Sequence, residues 1–411
     1  MEYSYLNLDY QPDREKEVLV TYRIRPLQGQ SLEAAAEKVA AESSVGTWTP
    51  TTTLSDQIFH DLAARIYKIN STDNLVQIAY PLGLFELGSL PQLGSGILGN
   101  VFSMKDLEAL RVEDIEFPET YINSFSGPAF GTAGIRQLLN IYSRPIIGSI
   151  IKPKIGLSPQ DNAQLAYVVW SHGVDLVKDD ENLTDLPINP FRERVVEVMK
   201  KQRLAEQESG QSKVYAFNVT APVTQMLERG RWVAEAGGRC LMVDLVTTGW
   251  SGVQELRRAF PEMIIHGHRA GHSAFTRVPD HGLSMLVVAK MARLAGVDQL
   301  HTGTVVGKME GSESEVVQIN QFLSSAWGQQ KTVLPIASGG LHPGMVPDLV
   351  KVLGLDLIIN FGGGIHGHPD GSAAGAEAAQ IAVAAVSQGQ SIVEAAKTSP
   401  ALARALDYWS D

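Results

Sequence analysis

A single cysteine, Cys240, occurs among the 411 residues, so neither an intrachain disulfide nor a cysteine-built metal cluster is available. That scarcity suits a reducing, cytoplasmic setting and leaves Cys240 to fill core. Long apolar runs are also missing, which argues against a membrane span. Residues Met1 to Glu17 lack the basic start, apolar stretch and small-residue cleavage site of a signal peptide, so secretion is not expected. Positive charge is in deficit, with 34 Lys and Arg against 45 Asp and Glu. Wrapping nucleic acid needs a clustered basic surface, so no nucleic-acid partner is expected, and the net charge of −11 reads as solubility.

What is present is core-forming sequence in two styles. Up to about Pro128 the chain mixes alternating segments, Val18 to Tyr22 and Leu75 to Tyr80, with a helical stretch from Ser31 to Ala41; this predicts a small α+β domain over residues 1–128. From Arg144 onward, short Val- and Ile-rich strands alternate with helical segments. The predicted strands are Ile146 to Pro153, Asp175 to Asp180, Lys213 to Thr220, Cys240 to Val246, Met263 to Arg269, Gln299 to Thr304, Leu334 to Ser338 and Asp356 to Phe361. Helices are expected between them, among them Pro159 to Ser171, Pro222 to Ala236, Pro279 to Ala295 and Ser314 to Ala326. Eight βα units predict a TIM barrel over residues 129–411, with Gly389 to Asp411 as a helical tail. An open doubly wound sheet uses the same alternation. Nearly every predicted strand ends in a reactive side chain, however, and only a barrel gathers all eight strand ends on one face.

Chemistry concentrates at those ends. Lys178 and Asp180 share a face of the second strand, and Glu181 follows just beyond it. Two carboxylates are hard oxygen donors suited to magnesium. Lys178 can join them only if CO2 adds to its neutral amine and makes it an anionic carbamate. The plainer reading of the run Lys178 to Glu181, a solvated ion-pair cluster, stands beside this one. On the fifth strand, His268 reads as an acid/base or polarising group and Arg269 as a phosphate fork, with His266 and His272 as structural histidines. Lys152 and Lys154 close the first strand. Crowding there would lower one amine's pKa towards general-base duty, or the pair simply binds anions.

Ser338-Gly339-Gly340 and Gly362-Gly363-Gly364 follow the seventh and eighth strands, where barrels commonly hold a phosphate on backbone N–H groups. Gly303 to Lys308 has the character of a mobile loop carrying one lysine; its spacing is not that of a nucleoside triphosphate loop.

The segments IIKPKIGL, DLVKDDEN, HGHRAGH, HTGTVVGKMEG, ASGGLHPG and FGGGIHGHPDG together resemble the large subunit of ribulose-1,5-bisphosphate carboxylase/oxygenase, RuBisCO. AAESSVGTWTP and GNVFSMKDLEALRVEDI are similar to that family's N-terminal motifs, so the resemblance runs through almost the entire chain. The compact length and the start YLNLDYQP look most like the archaeal-type form III enzymes, which lack a small subunit.

The resemblance implies a ferredoxin-like N-terminal α+β domain before the barrel. It also implies carboxylation and oxygenation of ribulose 1,5-bisphosphate through a Mg2+-stabilised enediolate. By the same carry-over Lys178 is carbamylated and binds Mg2+ with Asp180 and Glu181, and Lys152 removes the C3 proton. Lys154 and His268 assist proton transfers, and Lys308 orients the added CO2. Arg269 and His301 hold one phosphate and Ser338 contacts sugar hydroxyls. Gly340, Gly362 and Gly363, with Thr47, Trp48 and Lys308, hold the other phosphate. Glu42, Thr47, Trp48 and Asn100 are expected to complete a neighbouring subunit's site in a homodimer or higher homo-oligomer.

Two positions depart from the family's common pattern: Gly271, where many members carry methionine, and Asn360, where a longer polar side chain is often seen. The rivals are a RuBisCO-like enolase or isomerase of another sugar phosphate, and a non-catalytic sugar-phosphate-binding protein. Retention of Lys152, Lys178, His268, His301 and Lys308 weighs against the first, and a base beside an acidic run weighs against the second.

Overall fold

Strand and helix signals in the computed structural model, which describes residues 3–306 and 312–410, follow the two predicted styles. The chain forms two units: Met1–Ser126 with Gly271–Ala295 and Trp327–Gln330, and Gly127–Ala270 with Gly296–Ala326 and Lys331–Asp411. The first unit is built on strands Glu17–Pro26, Arg65–Asn70, Leu75–Pro81 and Leu107–Glu116. In spatial order the fourth strand lies beside the first, then come the third and the second, all antiparallel. This is the ferredoxin-like order. Helix Leu32–Glu42 starts where Ser31 accepts the Ala34 N–H at 3.1 Å. It buries Leu32, Ala35, Ala36, Val39 and Ala40, the stripe that a 3.6-residue period dictates.

A single cut near residue 128 does not describe the division, because the chain returns to the small unit. Gly282 and Leu283 add a parallel strand beside Arg111 and Val112, and Lys290 donates to the Ile115 carbonyl at 2.8 Å. The helix expected from Pro279 therefore begins only at Met285 and runs to Ala295.

In the second unit, eight parallel strands close on themselves: Ile146–Ile150, Leu176–Lys178, Val214–Asn218, Cys240–Asp244, Ile264–His268, Gln299–His301, Leu334–Ser338 and Ile358–Phe361. Closure runs through pairing of the fifth strand with the sixth and of the eighth with the first. Most are shorter than the apolar pattern suggested, because the hydrogen-bonded ladder ends on polar residues such as Lys178, Asn218, Asp244, His268 and His301 and does not run past them. The barrel's core comprises Ile146, Leu176, Val214, Ala216, Cys240, Met242, Ile264, Leu334, Ile336 and Ile358, plugged from below by Ile135 and Leu139. Cys240 is buried, as expected of a core filler.

Two buried carboxylates tie the floor, at the N-terminal ends of the strands. Asp175 receives both Arg144 terminal nitrogens, at 2.6 and 2.8 Å, and the Ile147 N–H at 2.8 Å. Asp298 receives the N–H groups of Phe130, Gly131 and Ile265, and pairs with Arg257. Backbone donors at the strand starts are thereby satisfied without water.

Candidate active site

Side chains of a strand alternate, so the inward core positions fix which later residues face the barrel axis. Counting in twos from Leu176, Val214, Cys240, Ile264, Leu334 and Ile358 leads to Lys178, Asn218, Asp244, His268, Ser338 and Asn360 at the C-terminal mouth. His301 ends the short sixth strand at the same level. Polar groups thus crown an apolar core on the face where barrel enzymes do their chemistry.

Lys178 is fully buried there. Its amine donates to the Asp179 carbonyl at 2.8 Å and lies 3.9 Å from Glu181 Oε2. Burial lowers its pKa, against the pull of Glu181, Asp180, Asp244 and Asp179. Asp180 accepts Lys152 Nζ at 2.7 Å on one oxygen and the Asn182 N–H and Nδ2 at 3.1 and 3.0 Å on the other. Burial pushes its carboxyl up, but those donors outweigh burial and hold it below the usual carboxylate range. Among the described residues, no three His, Cys, Asp or Glu side chains cluster as a ready metal site. Asp180 and Glu181 suit a hard cation such as Mg2+ but leave it short of anionic oxygen. Lys178, with its depressed pKa, is the neighbouring group able to supply that oxygen as a carbamate.

Beside them runs a line of imidazoles. His268 Nε2 lies 3.6 Å from Glu181 Oε2, and Asp244 Oδ1 is 3.1 Å from His268 Nδ1. The Ala270 N–H points at Nδ1 from 3.2 Å, which assigns the proton of the neutral ring to Nε2. His266 and His301 share a hydrogen bond between their Nε2 atoms at 2.8 Å, and His301 Nδ1 meets Ser338 Oγ at 2.8 Å. Burial drives both of these rings well below the ordinary histidine pKa, so they are neutral hydrogen-bonding groups. His266 Nδ1 has no partner among the described residues, so His266 is less fully satisfied than a structural histidine was expected to be. Arg269 is buried, and desolvation pushes its guanidinium down to about 10. Gly303 has φ 103°, a conformation that favours glycine, and a Cβ there would lie 2.8 Å from Arg269 Nη2.

Of the two glycine runs, Gly340 has φ 70°, and a Cβ on Gly363 would meet nothing within 4 Å, consistent with an open cradle. A Cβ on Gly362 would approach Lys152 Cε to 3.6 Å, which puts that glycine beside the lysine. His366 closes the short helix Gly363–His366 and contacts Ser149 Oγ at 3.3 Å and Ser372 Oγ at 2.9 Å.

Several expectations shift. The first strand ends at Ile150, so alternation does not carry Lys152 and Lys154 to one face: Lys154 is exposed, and Lys152 meets a carboxylate rather than a second amine. Lys308 lies outside the described residues. In the small unit, Asn100 Nδ2 donates to Glu42 Oε1 at 3.2 Å, Thr47 is exposed, and Trp48 is 92% exposed. Gly271, with φ 82°, holds a backbone conformation that methionine rarely adopts. Asn360 is buried, and a Cβ on Gly148 would lie 2.8 Å from its Oδ1. His366 and the Asp244–His268 contact were not assigned from the sequence. Strand parity points to Asp244, but nothing local signals His366.

The family described as ribulose bisphosphate carboxylase large chain matches in two parts: its N-terminal domain over residues 4–121 and its catalytic domain over residues 131–409. The ribulose bisphosphate carboxylase of Pyrococcus abyssi is 46% identical over 409 residues, covering 99% of this chain and 96% of the relative. That of Methanocaldococcus jannaschii is 44% identical over 427 residues, covering 99% and 100%. Among solved structures, the octameric Rubisco of Pyrococcus horikoshii OT3 superposes with a TM-score of 0.95 at 45% identity, covering 99% of this chain and 96% of that one. The dimeric archaeal Rubisco of Hyperthermus butylicus gives 0.93 at 43%, covering 98% of each.

Proposed function

As a member of the ribulose bisphosphate carboxylase large-chain family, we propose, this protein carboxylates and oxygenates ribulose 1,5-bisphosphate, carboxylation yielding two molecules of 3-phosphoglycerate. The observation that carries the reading is a fully buried lysine of depressed pKa, Lys178, beside two carboxylates that need one more anionic oxygen to hold a cation. Carbamylated Lys178, Asp180 and Glu181 hold Mg2+. When bound, the ion supplies Lewis-acid stabilisation to the enediolate.

The chain's own residues do the rest. Lys152, which pairs with Asp180 in this structure, takes the C3 proton as the neutral amine. His268, the proton of its neutral ring on Nε2 and Asp244 Oδ1 3.1 Å from Nδ1, moves protons around the intermediates. Lys154 assists from the loop, and Lys308 orients the incoming CO2. Arg269 and His301 bind one phosphate, the desolvated guanidinium gaining strength from the low dielectric around it. Ser338, tied to His301, meets a sugar hydroxyl. Backbone N–H groups around Gly340, Gly362 and Gly363 take the second phosphate with Thr47, Trp48 and Lys308.

The assembly is a homodimer or a larger homo-oligomer without a small subunit. Glu42, Thr47, Trp48 and Asn100 complete a neighbour's site. The exposure of Trp48 and the Glu42–Asn100 contact support that role. Among the described residues no helix is long and apolar enough to cross a membrane. The test is incorporation of labelled CO2 into 3-phosphoglycerate from ribulose bisphosphate, after preincubation with CO2 and Mg2+ and again with a chelator. Product only in the metal-containing sample supports the assignment. No product from intact, preactivated protein overturns it.

A further inference from the structure

Asp179 has no place at the mouth, although it stands between Lys178 and Asp180. Its odd parity sends it away from the barrel axis, where it is wholly buried. There it meets helices Pro159–Ser171 and Phe191–Ser209 through a closed set of partners. Tyr215 Oη donates to Asp179 Oδ1 at 2.7 Å, and the Asn218 N–H donates to Oδ2 at 2.9 Å. Asn162 Nδ2 donates in turn to Tyr215 Oη at 2.8 Å. Arg194 Nε lies 3.1 Å from Oδ1 and pairs by charge, its N–H not being aligned for a hydrogen bond.

The remaining arms of Arg194 reach the loop that follows the acidic run. Nη1 donates to the Asn189 carbonyl and Oδ1 at 3.0 and 3.1 Å, and Nη2 to the Thr184 carbonyl at 2.6 Å. Asn189 Nδ2 then donates to the Leu157 carbonyl at 3.1 Å, in the loop that carries Lys152 and Lys154. One buried ion pair therefore ties the end of the second strand to the loops after the first and second strands. A buried pair is weak as a source of stability, since apolar residues of like volume commonly do as well; its contribution is geometric.

We propose that Asp179 and Arg194 are positioning residues, which lock the second strand end so that Lys178 and Asp180 stay turned towards the mouth for carbamylation and metal binding. This rests on the reading of Lys178 as the carbamate-bearing lysine. Neither neighbour of Asp179 can rotate about the strand without dragging a buried carboxylate, hydrogen-bonded through both oxygens, out of its setting. Asn218 braces the same strand end from the other side, since its backbone holds Asp179 while its Nδ2 donates to the carbonyls of Asp180 and Glu181 at 3.3 and 3.0 Å.

The test compares wild type with Asp179→Asn, of equal size, and Tyr215→Phe, which removes one hydroxyl and keeps the ring. Carbamate is read by carbon NMR under labelled CO2, and metal affinity by Mn2+ titration followed by electron paramagnetic resonance. Both variants should weaken metal affinity by roughly 10–100-fold, the range seen when groups that orient metal ligands are removed. Carbamate at fixed CO2 should fall with it, while the KM for ribulose bisphosphate at saturating metal stays unchanged. Wild-type metal affinity and carbamate in both variants overturns the proposal, as does an equal loss of metal and bisphosphate binding, which would mean general damage. If Asp179→Asn does not fold, Tyr215→Phe decides by the same criteria. Absence of a carbamate signal in wild type, matching Lys178→Ala, sinks the reading of Lys178 itself and this proposal with it.

Discussion

Lys152 and Asp180 are partners before any metal is involved, the amine donating to the carboxylate at 2.7 Å across the mouths of adjacent strands. A cation held by Asp180 would compete with that amine for the carboxylate, and Lys152 would act as a base in its neutral form. Lys152→Met should therefore bind Mg2+ at least as tightly as wild type while losing turnover by roughly 100–10,000-fold, the usual worth of a general base. Exchange of the C3 hydrogen of ribulose bisphosphate with solvent, followed by NMR, separates the two effects. Exchange at the wild-type rate would assign the base elsewhere.

Lys178→Ala should abolish carboxylation and Mg2+ binding and leave the barrel folded, since among the described residues the amine meets the Asp179 carbonyl and Glu181, both close to it in sequence, at the barrel's mouth. Turnover assays beside circular dichroism check this. Unchanged turnover would mean that the metal site is misplaced.

Gly303 has φ 103°, and a Cβ there would press on Arg269. Gly303→Ala should cost about 1–3 kcal/mol of stability through backbone strain. If Arg269 binds phosphate, the KM for ribulose bisphosphate should also rise roughly tenfold or more, the worth of a charged hydrogen bond. Denaturant titration and steady-state kinetics measure the two.

The pH dependence of stability turns on His366, whose pKa burial pulls down from 6.5 to about 4. The unfolded chain binds this proton more readily than the folded one, so the neutral ring's stability is fully present above pH 6.5. It is lost as pH falls from there towards 4, by up to roughly 3 kcal/mol. His266 and His301 shift in the same direction. Denaturant midpoints at pH 7.5 and 5 should fall in wild type, and fall less in His366→Gln.

Legibility in the sequence followed hydrogen bonding. The starts of the barrel strands and their parity were readable because apolar side chains repeat in twos, and this set Lys178 inward and Asp179 outward. The strand ends were not, because Val and Ile give way to polar residues just where the ladder stops, and parity stops with it; hence the exposed Lys154. Partners distant in sequence left no local signal either. His266 meets His301, and Glu42 meets Asn100, only because the fold brings them together. The return of Gly282 and Leu283 to the small sheet was hidden behind Pro279, whose usual place at a helix start suggested an earlier helix.

Asp175 and Asp298 sit at one end of the barrel strands and the reacting groups at the other, with an apolar core between. The groups that order the strand starts and the groups that react are thus held at opposite ends of the barrel. An engineer can strengthen the floor, or an evolving lineage can lose a bond there, without retuning the chemistry above. Changes at the mouth in turn draw on a reserve of rigidity held elsewhere, the arrangement that allows one scaffold to survive many experiments in what it catalyses.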